Sequence, residues 1–233
     1  MEEIQRDDLL ATIDAMVAEL LLRAGVAEPP VDAIALAQGT LGMVVVLDKR
    51  QSQRGRSQGK QQIFVRPEPR EERHQWTVAV EIGRHFKADL LTRLGVEPGA
   101  TGTLGGEANL FATRLLAPTG WFADDAASAE YDLLALKRRY NTASHEMLAW
   151  RLLDLSAPCI ISIIDNDAVH RRRSNAWPAR KELSPAEKKC WKRVRESGKP
   201  RAVQEAGWSV QGWPIHQADW KREILRAVRD EDA

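Results

Sequence analysis

Val78, Ile82, Phe86 and Leu90 stand four residues apart, a spacing that places all four on one stripe of an α-helix. A helix over about 70–94 with such a stripe must bury it against another layer, which restricts the chain to a layered fold. The sequence before it supplies that layer. Leu9, Leu10, Ile13, Met16, Val17, Leu20 and Leu21 recur at helical spacing over 3–24, and Gly25 ends the run. Pro29-Pro30 separates it from a short helix that starts near Val31 and ends at Gly39. Met43–Leu47 and Ile63–Val65 read as strands, the second closed by Pro67 and Pro69, and Lys49 to Gln62 between them reads as a solvated loop.

Beyond the long helix, a glycine-rich break at 99–106 leads into a helix over Glu107–Leu116, stopped by Pro118. Residues 131–155 read as helix, turn, helix, with Asn141, Thr142 and Ser144 as turn and cap residues. Cys159–Ile164 reads as a strand ending in the turn Asp165-Asn166-Asp167. From Arg171 the composition changes: residues 171–201 hold twelve Lys/Arg against three Asp/Glu, and tryptophans Trp208, Trp213 and Trp220 follow. These tryptophans predict a small core or a partner surface, because large aromatic bodies favour burial. The expected class is α+β, divided into 1–125, 126–170 and 171–233.

The charge balance, 34 Lys+Arg against 33 Asp+Glu, selects no partner of either sign. No apolar run approaches the roughly 18–20 residues that cross a bilayer, so no membrane partner is expected. The sequence shows no signal-peptide pattern. Cys159 and Cys190 form neither a disulfide framework nor a CxxC pair, so reduced thiols in a cytoplasmic, bacterial-type setting are expected. His145, His170 and His216 are isolated and read as surface or core residues.

The order of helix, Pro-Pro-Val-Asp, helix, strand, strand and long helix, followed by Glu-Ala-Asn-Leu-Phe-Ala-Thr-Arg-Leu-Leu-Ala-Pro at 107–118, resembles the ImmA/IrrE family of metallopeptidases. The resemblance covers residues 5 to about 165. In that family the long helix reads Phe-Thr-Leu-Ala-His-Glu-Leu-Gly-His; here the matching stretch is Trp76-Thr77-Val78-Ala79-Val80-Glu81-Ile82-Gly83-Arg84. The resemblance implies a zincin-like peptidase fold with a helix-turn-helix-like unit after it. It also implies a bound zinc, and a protein partner that is a helix-turn-helix repressor of the XRE type, cut to switch on stress or mobile-element genes.

Two histidines at i and i+4 point two imidazoles at one zinc, a glutamate from the next helix is the third ligand, and water fills the open position. The metal lowers the pKa of that water, and the glutamate after the first histidine takes its proton. Carried onto this sequence, the first ligand position is Val80, without a lone pair, and the second is Arg84, a permanent cation. The third is Gly105, without a side chain. Glu81 alone keeps the general-base position. His85 with His74 is no substitute, because one straight helix spreads them over about 16 Å. Glu107, His85 and Asn109 are the remaining cleft residues.

Three readings follow. The first is a zinc-free pseudopeptidase that needs no cofactor and binds a protein partner, with Arg84 standing where the metal stood and reaching Glu81 or Glu107. The second is a working zinc peptidase with an atypical ligand set. The third is a nucleic-acid-binding regulator built on residues 131–201, with Arg171, Arg172, Arg173, Lys188 and Lys189 as contacts.

Overall fold

The computed structural model describes residues 5–48, 54–57, 60–96, 106–217 and 220–230. The chain is α+β and divides into two compact units, one of Met1–Asp124 with Arg139–Ser144, the other of Asp125–Arg138 with His145–Ala233.

In the first unit, α1 spans Arg6–Ala24, with Asp7 and Asp8 in its first turn and Arg23 in its last, each opposing the helix dipole. Gly25 ends it at φ 69°, donating back to the Leu21 and Leu22 carbonyls. Its buried face (Leu9, Ile13, Met16, Val17, Leu20, Leu21) packs on α5, Glu107–Leu116. The short α2, Ala33–Ala35, is capped by Asp32 and runs into a π-helical turn at Leu36–Thr40. Gln75, almost fully buried, accepts from the Ala33 backbone N–H at 2.7 Å and donates to Asp32 Oδ1 at 2.9 Å. One amide thereby locks the Pro-Pro-Val-Asp segment to the long helix.

A three-stranded sheet orders β1 (Val44–Leu47), β3 (Lys60–Val65) and β2 (Arg54–Ser57), with β1 parallel and β2 antiparallel to β3. The stretch expected as a loop therefore contains an edge strand. Its sequence, Arg-Gly-Arg-Ser, has no apolar alternation to reveal it, and the backbone ladder to β3 forms it instead. The remaining loop residues, 49–53 and 58–59, lie outside the described residues.

The long helix is α3, Glu71–His85, followed after Phe86 by α4, Lys87–Arg93. Hydrogen bonds from Phe86 to Ile82 and from Leu90 to Phe86 carry the turn across the break. Val78, Ile82 and Leu90 are buried as the stripe predicts, and Phe86 stacks on Phe111 of α5 with ring centroids 5.6 Å apart. α3 lies tightly on α5: a Cβ on Gly83 would stand 2.8 Å from the Ala108 carbonyl oxygen and 2.9 Å from Phe111 Cβ.

The second unit is built on an antiparallel sheet in the order β5-β4-β8-β7-β6. Its strands are β4 (Ile160–Asp165), β5 (Ala168–Ser174), β6 (Arg201–Glu205), β7 (Trp208–Gln217) and β8 (Trp220–Arg229). Asn166 and Asp167, both at positive φ, make the tight β4–β5 turn that their residue types predict. The line drawn near residue 170 falls inside β5, whose pairing with β4 keeps both strands in one sheet. The helix α9, Pro185–Ser197, opens on a Ser184–Glu187 capping box and ends at Gly198. Its Ala186, Cys190 and Val194 join Ile160, Ile164, Val203, Val210, Leu225 and Ala227 in the core, with Trp177 and Trp208 packed against it. Both cysteines are buried free thiols, and burial pushes the Cys190 thiol up to about 11.

Helices α6 (Thr119–Ser128), α7 (Leu133–Arg139) and α8 (His145–Arg151) precede this sheet in the chain. The expected 126–170 unit is not separate: most of it belongs with the sheet, and its turn, 139–144, belongs with the first unit. Arg226 of β8 lies 4.0 Å over the Tyr131 ring, and Gln211 of β7 donates to the Glu130 carbonyl at 3.1 Å. These contacts tie residues just before α7 to the sheet. Trp213 is buried in β7 and Arg222 lies 4.4 Å over Trp220, so the tail tryptophans serve a folded sheet.

Candidate functional site: a carboxylate pair held by cations

The resembled active-site segment lies on α3 and at the start of α5. Val80 is buried and aliphatic, and Glu81 is 7% exposed. The Arg84 guanidinium, about half exposed, donates through Nη1 to Glu81 Oε1. They are three positions apart, which puts both on one side of the helix. Glu107, at the first position of α5 and 6% exposed, pairs with Lys87 Nζ rather than with Arg84. Lys87 is the residue that the sequence reading missed. No local spacing points to it, because its partner Glu107 lies on the next helix beyond the glycine-rich segment.

The two histidines of the long helix each have a polar partner. The His85 ring nitrogen Nδ1 lies 2.9 Å from Gln61 Oε1 of β3. His74 Nε2 accepts from the Glu68 backbone N–H at 2.9 Å, sealing the entry to α3. Asn109 is exposed on α5. Gly105 lies outside the described residues. Among the described residues no group of three or more His, Cys, Asp or Glu side chains is placed to hold a metal ion. At two of the positions that the resemblance assigns to zinc ligands stand an alkyl group and a guanidinium, which do not fit a zinc, and Glu81 and Glu107 each face a cation. Chemically, the pair is two nearly buried acids, each neutralised by a half-exposed base.

The arginines of the basic stretch are largely committed within the second unit. The Arg172 side chain, 8% exposed, forms a double hydrogen bond with Glu187 of α9, with its Nη2 at 2.9 Å from Oε2, and also donates to Ser162 Oγ. Burial pushes the Glu187 carboxyl up, but the Arg172 and Ser184 hydrogen bonds outweigh it and hold the group below the usual carboxylate range. Arg173 lies 5.2 Å over the Trp150 ring, and Arg171 pairs with Glu146 at 3.4 Å. Arg195 reaches both Asp167 and the fully buried Glu223, which also receives Trp191 Nε1 and lies 2.6 Å from His216 Nε2.

Helix α8 presents no fully exposed residue; Met147, Leu148, Ala149 and Arg151 are buried, and Glu146 also pairs with Arg222 of β8. A helix that reads a major groove must offer an open face, and α8 offers none. Lys188 and Lys189, by contrast, are exposed on the outer side of α9.

No protein-family model matches the chain, and no curated protein matches it. Among solved structures, the chain is similar to a Mycobacterium tuberculosis transcriptional regulator at 16% identity and a TM-score of 0.64. The match covers 94% of this chain and 76% of that one. At that identity the likeness shows a shared fold.

Proposed function

We propose that the chain is a zinc-free relative of the ImmA/IrrE metallopeptidases, zincin-like in its first unit, that acts by binding a protein. Its partner on this reading is a helix-turn-helix repressor of the XRE type, in stress or mobile-element regulation. The observation that carries the reading is the Arg84–Glu81 ion pair on α3. Glu81 occupies the general-base position, and a general base must hold a proton-accepting carboxylate beside an activated water. Here the carboxylate is engaged by a cation of its own helix, and the neighbouring position is an alkyl side chain. The Arg84 guanidinium supplies a positive charge beside Glu81, as the metal does in the resembled family, so this carboxylate is balanced without an ion. Loss of the ligands removes water activation without removing helix or sheet.

The test is to titrate the purified chain into a purified XRE-type repressor, with and without a chelator, and to follow both association and the repressor's mass. Association that is indifferent to chelator, with the repressor intact, supports the reading. Fragments of the repressor that disappear on chelation would establish the alternative, a working peptidase with an atypical ligand set.

A further inference from the structure

We infer that the outer face of α9 binds the phosphate backbone of duplex DNA, a role separate from the α3–α5 site. α9 presents Lys188, Lys189, Lys192 and Arg193 as exposed residues. Lys188 and Lys192, like Lys189 and Arg193, are four apart, so the cations form two short rows along one side of the helix. Arg180 and Lys181 before the helix, and Lys199 and Arg201 after it, are exposed as well. The opposite side of α9 is fixed in the core through Ala186, Cys190 and Val194, so the basic face is held outward on a rigid element.

Some of this charge is answered internally. Lys189 pairs with Glu205 at 3.1 Å and Lys192 lies 3.9 Å from Glu196. The Lys192–Glu196 pair is solvent-exposed, where an ion pair contributes little and exchanges readily, while Glu205 is half-buried and holds Lys189 more firmly. Among the described residues no ion pair within 4.0 Å engages Lys188 or Arg193.

The chemistry of the face selects its partner. Its exposed residues are Pro185, the four cations and Glu196. It carries no exposed aromatic or large aliphatic anchor, and protein interfaces are depleted in lysine and depend on such anchors. A membrane surface would draw on an apolar helix face, and that face of α9 is already buried. Phosphate tracking needs cations alone, on a scaffold that holds them in place. Phosphate contacts carry no sequence information directly, so the proposed binding is indifferent to sequence.

The test is fluorescence anisotropy of a labelled 20-base-pair duplex with the full chain, over a salt series. Four phosphate contacts predict a slope of log affinity against log salt of about −3.6, with dissociation constants of roughly 10⁻⁴–10⁻⁶ M near physiological salt. The combined substitution Lys188→Gln, Lys189→Gln, Lys192→Gln and Arg193→Gln keeps good helix formers at exposed positions and should weaken binding at least tenfold with an unchanged circular dichroism spectrum. The pair Lys188→Gln with Arg193→Gln should weaken it about fivefold and lower the slope by about two, which preserves the test if the fourfold variant misfolds. Binding that neither variant changes would overturn the proposal, as would a salt-independent signal. Equal affinity for vesicles rich in anionic lipid, or for poly-glutamate, would also overturn it, since the face would then be a general anion surface.

Discussion

Arg84 donates to the carboxylate of Glu81 one turn earlier on α3, so the acid retained from the resembled peptidase motif is neutralised within its own helix. Glu81 is nearly buried while Arg84 is about half exposed, which places the pair between a surface bridge and a buried one. Arg84→Ala should therefore destabilise the fold by about 1–2 kcal/mol. Much of that loss should vanish in an Arg84→Ala, Glu81→Gln background, because no charge is then left without its partner. A double-mutant cycle by chemical denaturation should return a coupling of about 1 kcal/mol; additive effects would mean that the pair is incidental.

Gly83 sits where α3 and α5 come closest. In Gly83→Ala the new methyl would meet the Ala108 carbonyl oxygen at 2.8 Å and Ala108 Cα at 3.0 Å. Both are backbone atoms, so the helices must separate. The helix propensity of alanine, about 1 kcal/mol better than glycine, is outweighed, and a net loss of about 1–3 kcal/mol is expected. At Gly120, in the first turn of α6, an added methyl would find no atom within 4 Å, so Gly120→Ala should be neutral or raise the melting temperature. Equal melting temperatures for the two variants would contradict the close packing.

These positions also mark how far the sequence carries. The stripe at Val78, Ile82 and Leu90 announced the buried face of the long helix, because the helical period is written in the side chains that must avoid water. The helix at Glu107–Leu116 was legible from its glycine break and Pro118. The edge strand β2 was not, because it is held by backbone bonds and has no apolar alternation. The five-stranded sheet was also hidden: a run rich in Lys and Arg resembles a solvated tail unless the pairing of Arg172 with Glu187, distant in sequence, is known. At the candidate site, the Arg84–Glu81 spacing was readable along one helix. The Lys87–Glu107 pair joins two helices across a glycine-rich segment, and no local spacing encodes it.

The Glu187 carboxyl links the second unit to acid. Its pKa is held below the usual value in the folded protein, because the hydrogen bonds from Arg172 and Ser184 outweigh the opposing effect of burial. A depressed folded pKa stabilises the protein above the unfolded value of about 4.3, and that contribution is lost as pH falls through the folded value. The stability of the wild type should therefore drop more steeply below about pH 4.5 than that of Glu187→Gln, which is less stable at neutral pH but lacks this titration. Parallel stability profiles for the two proteins across pH 2–7 would show that Glu187 does not titrate as stated.

Whether α3 and α5 can hold a zinc decides between a binding protein and a peptidase. Isothermal titration of zinc into the metal-stripped chain should show no stoichiometric site, since Val80 and Arg84 offer no ligand atoms. The combined variant Val80→His, Arg84→His and Gly105→Glu should bind about one zinc per chain, while each single restoration should not, because three ligands must converge on one ion. A tight, dialysis-resistant zinc in the wild type, lost on substituting Glu81 or His85, would contradict the zinc-free reading, and failure of the correctly folded triple variant to bind would contradict the alignment of these three positions.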